Sequence, residues 1–174
     1  LFGIDVQDNS GSVSGGGDVN GDGLVDVMYN NGTQAAAGIN GVYINNGSSG
    51  FTKNTNYNLP TYFIDPNNNS TGLTPLDING DGLVDIINNA DSIYINNGTG
   101  FVENSTWNND LSLSGPFVKL ADVNGDGLTD FIRAKGGVRK SFINNGSGWV
   151  EDNSRWKSPE PFVKLRNNFK QVSN

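Results

Sequence analysis

The 174-residue chain predicts an all-β fold, built from about three repeats of four short antiparallel strands with strand fragments at both ends. Three observations carry that expectation. The nine-residue pattern Asp-x-Asn-Gly-Asp-Gly-x-x-Asp occurs three times, as Asp18 to Asp26, Asp77 to Asp85 and Asp122 to Asp130. β-rich segments follow each copy at matching offsets, and the second of them always ends in Asn-Asn-Gly. The composition, with 24 Gly and 28 Asn, favours many turns and short strands over long helices.

The loops begin at residues 18, 77 and 122, so the spacings are 59 and 45 residues. Repeats of this length suggest a solenoid or the blades of a propeller. Each loop runs into an apolar strand: Leu24 to Tyr29, Leu83 to Ile87 and Leu128 to Arg133. A second strand follows and ends in a hairpin signal, as Val42-Tyr43-Ile44-Asn45-Asn46-Gly47, Ile93-Tyr94-Ile95-Asn96-Asn97-Gly98 and Ser141-Phe142-Ile143-Asn144-Asn145-Gly146. Asn-Gly between β-rich segments predicts a tight hairpin, because both residues tolerate positive φ. An aromatic opens the next strand (Phe51, Phe101, Trp149), and each repeat closes on Asn-(Ser/Thr)-x-aromatic, at Asn54 to Tyr57, Asn104 to Trp107 and Asn153 to Trp156. The strand leading into a loop is clearest at Pro116-Phe117-Val118-Lys119-Leu120, which recurs as Pro161 to Leu165. A fourth loop would begin at Asn167, but that segment has neither Asp nor Gly. The domain therefore divides into a leading strand or cap (1–11), repeat one with insertions (12–72), repeat two (73–115), repeat three (116–160) and an incomplete fourth repeat (161–174). The inserts of repeat one fall at Thr33 to Gly41 and Tyr62 to Ser70.

Three carboxylates within nine residues repel each other. Two unit charges about 4 Å apart cost about 4 kcal/mol at an effective dielectric of 20, and a bound divalent cation removes that cost. Ca2+ suits an all-oxygen loop, since it accepts six to eight hard ligands in a flexible cage. Side-chain oxygen would come from positions 1, 3, 5 and 9, and a backbone carbonyl from position 7. Gly23, Gly82 and Gly127, at position 6, permit the tight turn. A polar turn would explain one copy; three copies with identical offsets point to metal.

The repeat resembles the FG-GAP or VCBS family, the calcium-loop blades of integrin alpha-chain propellers, of bacterial surface and toxin proteins and of some fungal lectins. The resemblance spans roughly residues 12–165, and the loop followed by a strand is its most specific part. It implies propeller-type blades and three Ca2+ sites: Asp18, Asn20, Asp22, Leu24 and Asp26; Asp77, Asn79, Asp81, Leu83 and Asp85; and Asp122, Asn124, Asp126, Leu128 and Asp130. Propellers usually close with four to eight blades. Three repeats and a fragment imply an open or partial propeller, or one completed by another chain. An EF-hand would need Glu at position 12 and flanking helices, whereas Tyr29, Asn88 and Arg133 stand there among β-branched neighbours. Dockerin-type modules continue into a helix, which Leu83 to Asn89 does not suggest, and nonapeptide β-rolls repeat every nine residues.

Cys and His are both absent, which excludes disulfides, zinc sites built on those residues and every His-dependent triad. The acids outside the loops show no paired logic of the kind a glycosidase needs, so no enzyme is expected. No apolar run reaches the roughly 20 residues of a membrane helix. No signal peptide is visible and the chain begins at Leu1, as expected of a processed form or a fragment. The net charge of −7 is uneven: residues 1–130 hold 15 acids and 2 bases (−13), residues 131–174 hold 3 acids and 9 bases (+6). Three Ca2+ would bring the total to −7 + 6 = −1, so the acidity is mostly that of the loops. The basic cluster Arg133, Lys135, Arg139 and Lys140 reads as a solvated hairpin, and no nucleic-acid motif frames it.

The repeat-equivalent aromatics Phe51, Phe101, Trp149, Tyr57, Trp107 and Trp156 are expected to pack between sheets, with sugar stacking as the alternative were they exposed. Seven N-x-(S/T) sequons occur, at Asn31, Asn46, Asn68, Asn69, Asn97, Asn104 and Asn145; three of them lie in the repeated hairpin, whose turn chemistry alone explains the match. The expected function is a non-catalytic extracellular module, stabilised by Ca2+, that serves as an adhesion or structural scaffold. Its expected partners are neighbouring blades or further copies, joined when the strand Pro161 to Leu165 of one copy completes a sheet with Leu1 to Val6 of the next, as a ring or fibre. The alternatives are a carbohydrate-binding lectin and a propeller segment of a larger secreted toxin or enzyme.

Overall fold

The computed structural model describes residues 12–30, 41–60, 63, 71–88, 92–107, 117–135, 138–156 and 158, with backbone alone for 12–15 and 135. Three four-stranded antiparallel sheets make up the fold, and none closes on itself. The first runs β1 (Ser12–Gly17), β2 (Asp26–Asn30), β3 (Gly41–Asn45) and β4 (Phe51–Asn54). The second runs β5 (Thr74–Leu76), β6 (Asp85–Asn88), β7 (Ser92–Asn96) and β8 (Phe101–Glu103). The third runs β9 (Val118–Ala121), β10 (Asp130–Lys135), β11 (Val138–Asn144) and β12 (Trp149–Glu151). Strand neighbours in sequence are neighbours in space, the meander of a propeller blade. No α-helix occurs among the described residues; two single 3-10 turns lie at Gly47–Ser49 and Ser105–Trp107. The leading strand at 1–11, the insert at 33–40 and the fourth repeat at 161–174 lie outside the described residues.

Two of the sequence expectations need correction. The strand after each loop starts at position 9, with Asp26, Asp85 and Asp130, not at position 7. Positions 7 and 8 stay in the loop because the N–H at position 7 is taken by the Asp at position 5 (2.9, 2.8 and 2.8 Å) and not by a neighbouring strand. The Asn-Gly hairpin is also not the two-residue turn with positive φ at both residues. In the first sheet Asn46 sits at φ −98° and only Gly47 is positive, at 65°. The turns are wider, closed by Asn46 N–H to Gly50 O (2.8 Å), Asn97 N–H to Gly100 O (3.1 Å) and Asn145 N–H to Gly148 O (3.0 Å). The first Asn of each pair stays in the strand, where its amide serves the loop described below.

The chain forms two compact units, Leu1–Ser114 with Asn145–Gly148, and Gly115–Asn144 with Trp149–Asn174. In the first, the core lies between the first two sheets. Met28, Val42 and Ile44 project from one face of β2 and β3, as the period of two dictates. They meet Val84 and Ile86 of the second sheet, with Val19, Tyr57, Phe63 and Leu73 closing the sides. Each such side chain contributes about 1.5–3 kcal/mol when fully buried. Polar contacts set the register of the stack. Val84 N–H donates to Asp18 O (2.9 Å), the Asn96 amide to Val19 O (2.7 Å) and the Tyr57 hydroxyl to Gly98 O (2.7 Å). The Tyr57 ring meets Phe101 edge-on at 5.8 Å. Two glycines let the sheets approach: a Cβ on Gly17 would lie 2.5 Å from Val84 Cγ2, and one on Gly21 would lie 3.2 Å from Leu83 Cδ2.

The second unit is centred on aromatics. Phe131, Phe142 and Trp149 are buried, with ring centroids 5.5 Å (Phe131 to Phe142) and 6.0 Å (Phe131 to Trp149) apart. Phe131 and Phe142 are cross-strand partners, which places both rings on one face. The Ser141 hydroxyl donates to Trp156 O at 2.6 Å and ties down the chain after β12. Lys140 pairs with Glu151 at 2.9 Å on the sheet surface.

The six repeat aromatics thus divide. Tyr57, Trp107 and Trp149 are buried, and Phe101 and Trp156 half-buried, as packing residues should be; Phe51 is 55% exposed.

Gly17→Ala is expected to cost about 1–3 kcal/mol in urea unfolding, combining strain at φ 73° with the overlap on Val84. Gly50→Ala, at φ 81° with no atom within 4 Å of the added methyl, should cost only about 1–2 kcal/mol of backbone strain. The Lys140 hydrogen bond holds the Glu151 carboxyl below its ordinary value of 4.5. Its small stabilising contribution is therefore present above that value and lost as pH falls through the lowered one. A carboxyl NMR titration should place the Glu151 midpoint below 4.5, and Lys140→Met should return it upward.

Candidate metal centre

Each loop is organised by its own side chains. Asp18 Oδ1 accepts the N–H of Gly21 (2.7 Å) and of Asp22 (3.1 Å), and Oδ2 accepts that of Gly23 (2.7 Å). Asp77 accepts from Gly80 and Gly82 (2.8 and 2.9 Å), and Asp122 from Gly125, Asp126 and Gly127 (2.7, 3.2 and 3.0 Å). Such wrapping requires left-handed backbone at positions 4 and 6. The φ values are 81° and 84° for Gly21 and Gly23, 78° and 88° for Gly80 and Gly82, and 82° and 89° for Gly125 and Gly127. The sequence argument assigned this role to position 6 alone; position 4 carries it equally.

The Asn at position 3 joins the two halves. Asn20, Asn79 and Asn124 accept the N–H at position 5 through Oδ1, and donate to the position 5 carboxylate through Nδ2 at 2.9, 2.9 and 2.7 Å. Asp22, Asp81 and Asp126 stand exposed at the rim.

Position 9 differs. Asp26, Asp85 and Asp130 are wholly buried. One oxygen of each accepts the N–H at position 2 (Val19 2.8 Å, Ile78 2.9 Å, Val123 2.9 Å). The other accepts the N–H of the hairpin Asn (Asn45 2.8 Å, Asn96 2.7 Å, Asn144 2.8 Å). The carboxylate therefore clamps the loop to the β2–β3 type strand pair that follows it. Burial pushes Asp85 up to about 6 despite the Asn96 and Ile78 N–H groups, and the charges of Asp81 and Asp77 add to the rise. Burial first, then the charges of Asp26 and Asp18, raises the Tyr57 phenol above its ordinary range.

The hairpin residues Asn45, Asn96 and Asn144 were not among the site residues expected from sequence. Their signal was present: the first Asn of every Asn-Asn-Gly stands at the same place after its loop. Its side chain is also engaged, since Asn45 Oδ1 accepts Gly47 N–H (2.9 Å) and Asn96 Oδ1 accepts Gly98 N–H (3.0 Å).

Every side-chain donor that positions 1, 3, 5 and 9 could offer a metal is a hard oxygen. A carboxylate accepts about four hydrogen bonds. Asp18 and Asp122 each receive three N–H bonds from the loop backbone, and Asp22, Asp26, Asp85 and Asp130 each receive two from the groups above. Lone pairs therefore remain for a cation, and the donor set fits Ca2+. Among the described residues no three acidic groups converge closely enough to hold a metal ion as they stand. Of the sequons, Asn46, Asn97 and Asn145 are exposed and Asn104 half-exposed, while Asn31, Asn68 and Asn69 lie outside the described residues.

Four-stranded meanders, each entered through an acidic, glycine-turned loop clamped by a buried aspartate, define an all-β repeat protein of propeller-blade type. Residues 18–87, from the first position of the first loop to the strand after the second, match the family model of the FG-GAP-like repeat. No curated protein matches the chain.

Asp26→Ala should leave the Val19 and Asn45 N–H groups without their acceptor. At about 1–3 kcal/mol for each buried unsatisfied donor, the expected loss in metal-free urea unfolding is about 2–6 kcal/mol. Asp22→Ala, at the exposed rim, should lose less than about 1 kcal/mol under the same conditions.

Proposed function

We propose that the chain is a non-catalytic, extracellular module whose blades are stiffened by Ca2+, and that it serves as a scaffold for adhesion or assembly. The threefold recurrence of one oxygen-rich loop, with all but one of its hydrogen bonds repeated each time, carries this reading. In it, positions 1, 3 and 5 (Asp18, Asn20, Asp22 and their equivalents), the position 7 carbonyl (Leu24, Leu83, Leu128) and the position 9 carboxylate hold the ion. The ion neutralises three nearby carboxylates and fixes a loop otherwise held by turn hydrogen bonds alone. Low-affinity sites of this kind fill where Ca2+ is near millimolar, which supports an extracellular location. No helix among the described residues is long and apolar enough to cross a membrane.

A second reading, carbohydrate binding, draws on one observation: Phe51 is exposed where its equivalents Phe101 and Trp149 are covered. A glycan array probed with the intact chain, with and without Phe51→Ala, distinguishes it from the scaffold reading.

Calcium is expected to raise the melting temperature and a chelator to lower it. A site at one hundred times its Kd contributes about 2.7 kcal/mol, which in a chain of this size corresponds to roughly 5–10 °C. Calorimetric titration should count three ions for the native chain and two for Asp22→Ala. An unchanged melt in excess chelator would overturn the reading.

A further inference from the structure

Asn-Gly pairs cyclise readily, because glycine puts no side chain in the way of its own nitrogen. The sequence holds eight such pairs, and six lie among the described residues. Their chemistry is identical and their surroundings are not. In the loops, Asn20, Asn79 and Asn124 are held at both ends of the amide by the position 5 residue. The N–H of the glycine that follows is held by the position 1 carboxylate (2.7, 2.8 and 2.7 Å). A glycine nitrogen that lost its proton there would become an anion beside a carboxylate, which like charge opposes. At the first hairpin Asn46 Nδ2 donates to Ile44 O, Gly50 O and the Thr52 hydroxyl (3.3, 3.2 and 2.9 Å), so the nitrogen that would have to leave is tied down. The other two hairpins are different. Asn97 Oδ1 accepts the Thr99 N–H (3.0 Å) and the Thr99 hydroxyl (2.8 Å), and Asn145 Oδ1 accepts the Ser147 N–H (3.0 Å) and hydroxyl (3.1 Å). Both asparagines are exposed, and among the described residues nothing accepts from either Nδ2. The Gly98 N–H is held by the neutral amide oxygen of Asn96 (3.0 Å), not by a carboxylate.

We propose that the Asn97-Gly98 and Asn145-Gly146 turns are deamidation sites, activated by the hydroxyl two residues after the asparagine, while the loop pairs are protected. The inference goes beyond the calcium reading and does not depend on it. In the first step hydroxide takes the proton of the Gly98 N–H, and the nitrogen attacks Asn97 Cγ to form a C–N bond. The carbonyl electron pair moves onto Oδ1, where the Thr99 N–H and hydroxyl receive the new charge as an oxyanion hole does. That pair then returns, the Cγ–Nδ2 bond breaks, and Nδ2 leaves as ammonia with a proton from water, which restores the hydroxide. Water opens the cyclic imide at either carbonyl and leaves aspartate or isoaspartate at position 97. The sum is one water consumed and one ammonia released. Ser147 plays the part of Thr99 at Asn145. The isoaspartate route inserts a methylene into the backbone just before Gly98, whose carbonyl accepts the Tyr57 hydroxyl (2.7 Å) and so helps to join the first two sheets. Modification at this turn therefore loosens their stack.

Peptide mapping by mass spectrometry tests the proposal on the intact chain, made in a bacterial host so that no sugar occupies the Asn97 and Asn145 sequons, and kept folded at mildly alkaline pH. Asn97 and Asn145 are expected to gain the mass of an amide-to-acid exchange at least about tenfold faster than Asn20, Asn46, Asn79 and Asn124, a difference of about 1.4 kcal/mol in barrier. In denaturing urea the six rates should converge, since the reacting pair is the same. Thr99→Val removes the hydroxyl and should slow Asn97 about fivefold while leaving Asn145 unchanged. Ser147→Ala should do the reverse. Both substitutions change exposed turn residues, so the fold should survive, as a melt confirms. Similar native rates across the six pairs would overturn the proposal. So would a loop asparagine that reacts first, an Asn97 that stays intact in the folded chain, or an Asn97 rate untouched by Thr99→Val.

Discussion

The buried carboxylate at position 9 is the interaction on which each blade depends. A carboxylate placed at 0% exposure is tolerable only when its oxygens are occupied. Asp26, Asp85 and Asp130 meet that condition with two backbone N–H groups, one from the start of the loop and one from the hairpin strand. The bond to position 2 closes the nine-residue loop into a compact turn. The bond to the hairpin Asn joins that turn to β3, β7 or β11. One side chain thus links the entry of a blade to its centre, and the strand begins at the residue that makes the link. The rise of Asp85 to about 6 shows how strongly burial opposes the charge even with both N–H groups in place. A cation at the loop would favour the ionised form.

Stacking of the first two sheets rests on a different economy of space. The loop that is held from within also presents its backbone outward. Asp18 O and Val19 O accept Val84 N–H and the Asn96 amide, while Gly17 and Gly21 make room for Val84 and Leu83. The same nine residues therefore form an acidic, self-bonded loop on one side and a seat for the second sheet on the other. The aromatics follow the same logic: Tyr57 spans to the Gly98 turn and the Phe101 ring, whereas Phe51, at the place of Phe101 in the first sheet, is 55% exposed.

Much of the site was legible from the residue pattern. Acceptors at positions 1, 3, 5 and 9 with Gly at 6 point to a folded loop whatever lies around it, because the hydrogen bonds that shape it are local. The same is true of the four-strand order, since short turns between short strands leave few topologies other than a meander. The equal role of Gly21, Gly80 and Gly125 was less visible, because D-x-N-G-D-G draws attention to the last glycine and only the φ values show both in use. The hairpin Asn residues were read as turn chemistry. Their part in holding the position 9 carboxylate is a contact across 11 to 19 residues, which no local pattern encodes.

By itself, the order of residues determined that this is an all-β chain, that it repeats three times, and that each repeat opens on an oxygen-rich loop. These properties follow from spacing and from turn chemistry, which act over a few residues. Tertiary structure alone decided where each strand starts, which aspartate is buried, and which of two equivalent sheet faces is covered. Val25 and Val84 occupy the same position of the same motif, yet one is 54% exposed and the other 9%. Their difference lies in the neighbour, and burial is a property of what packs against a residue, not of the residue.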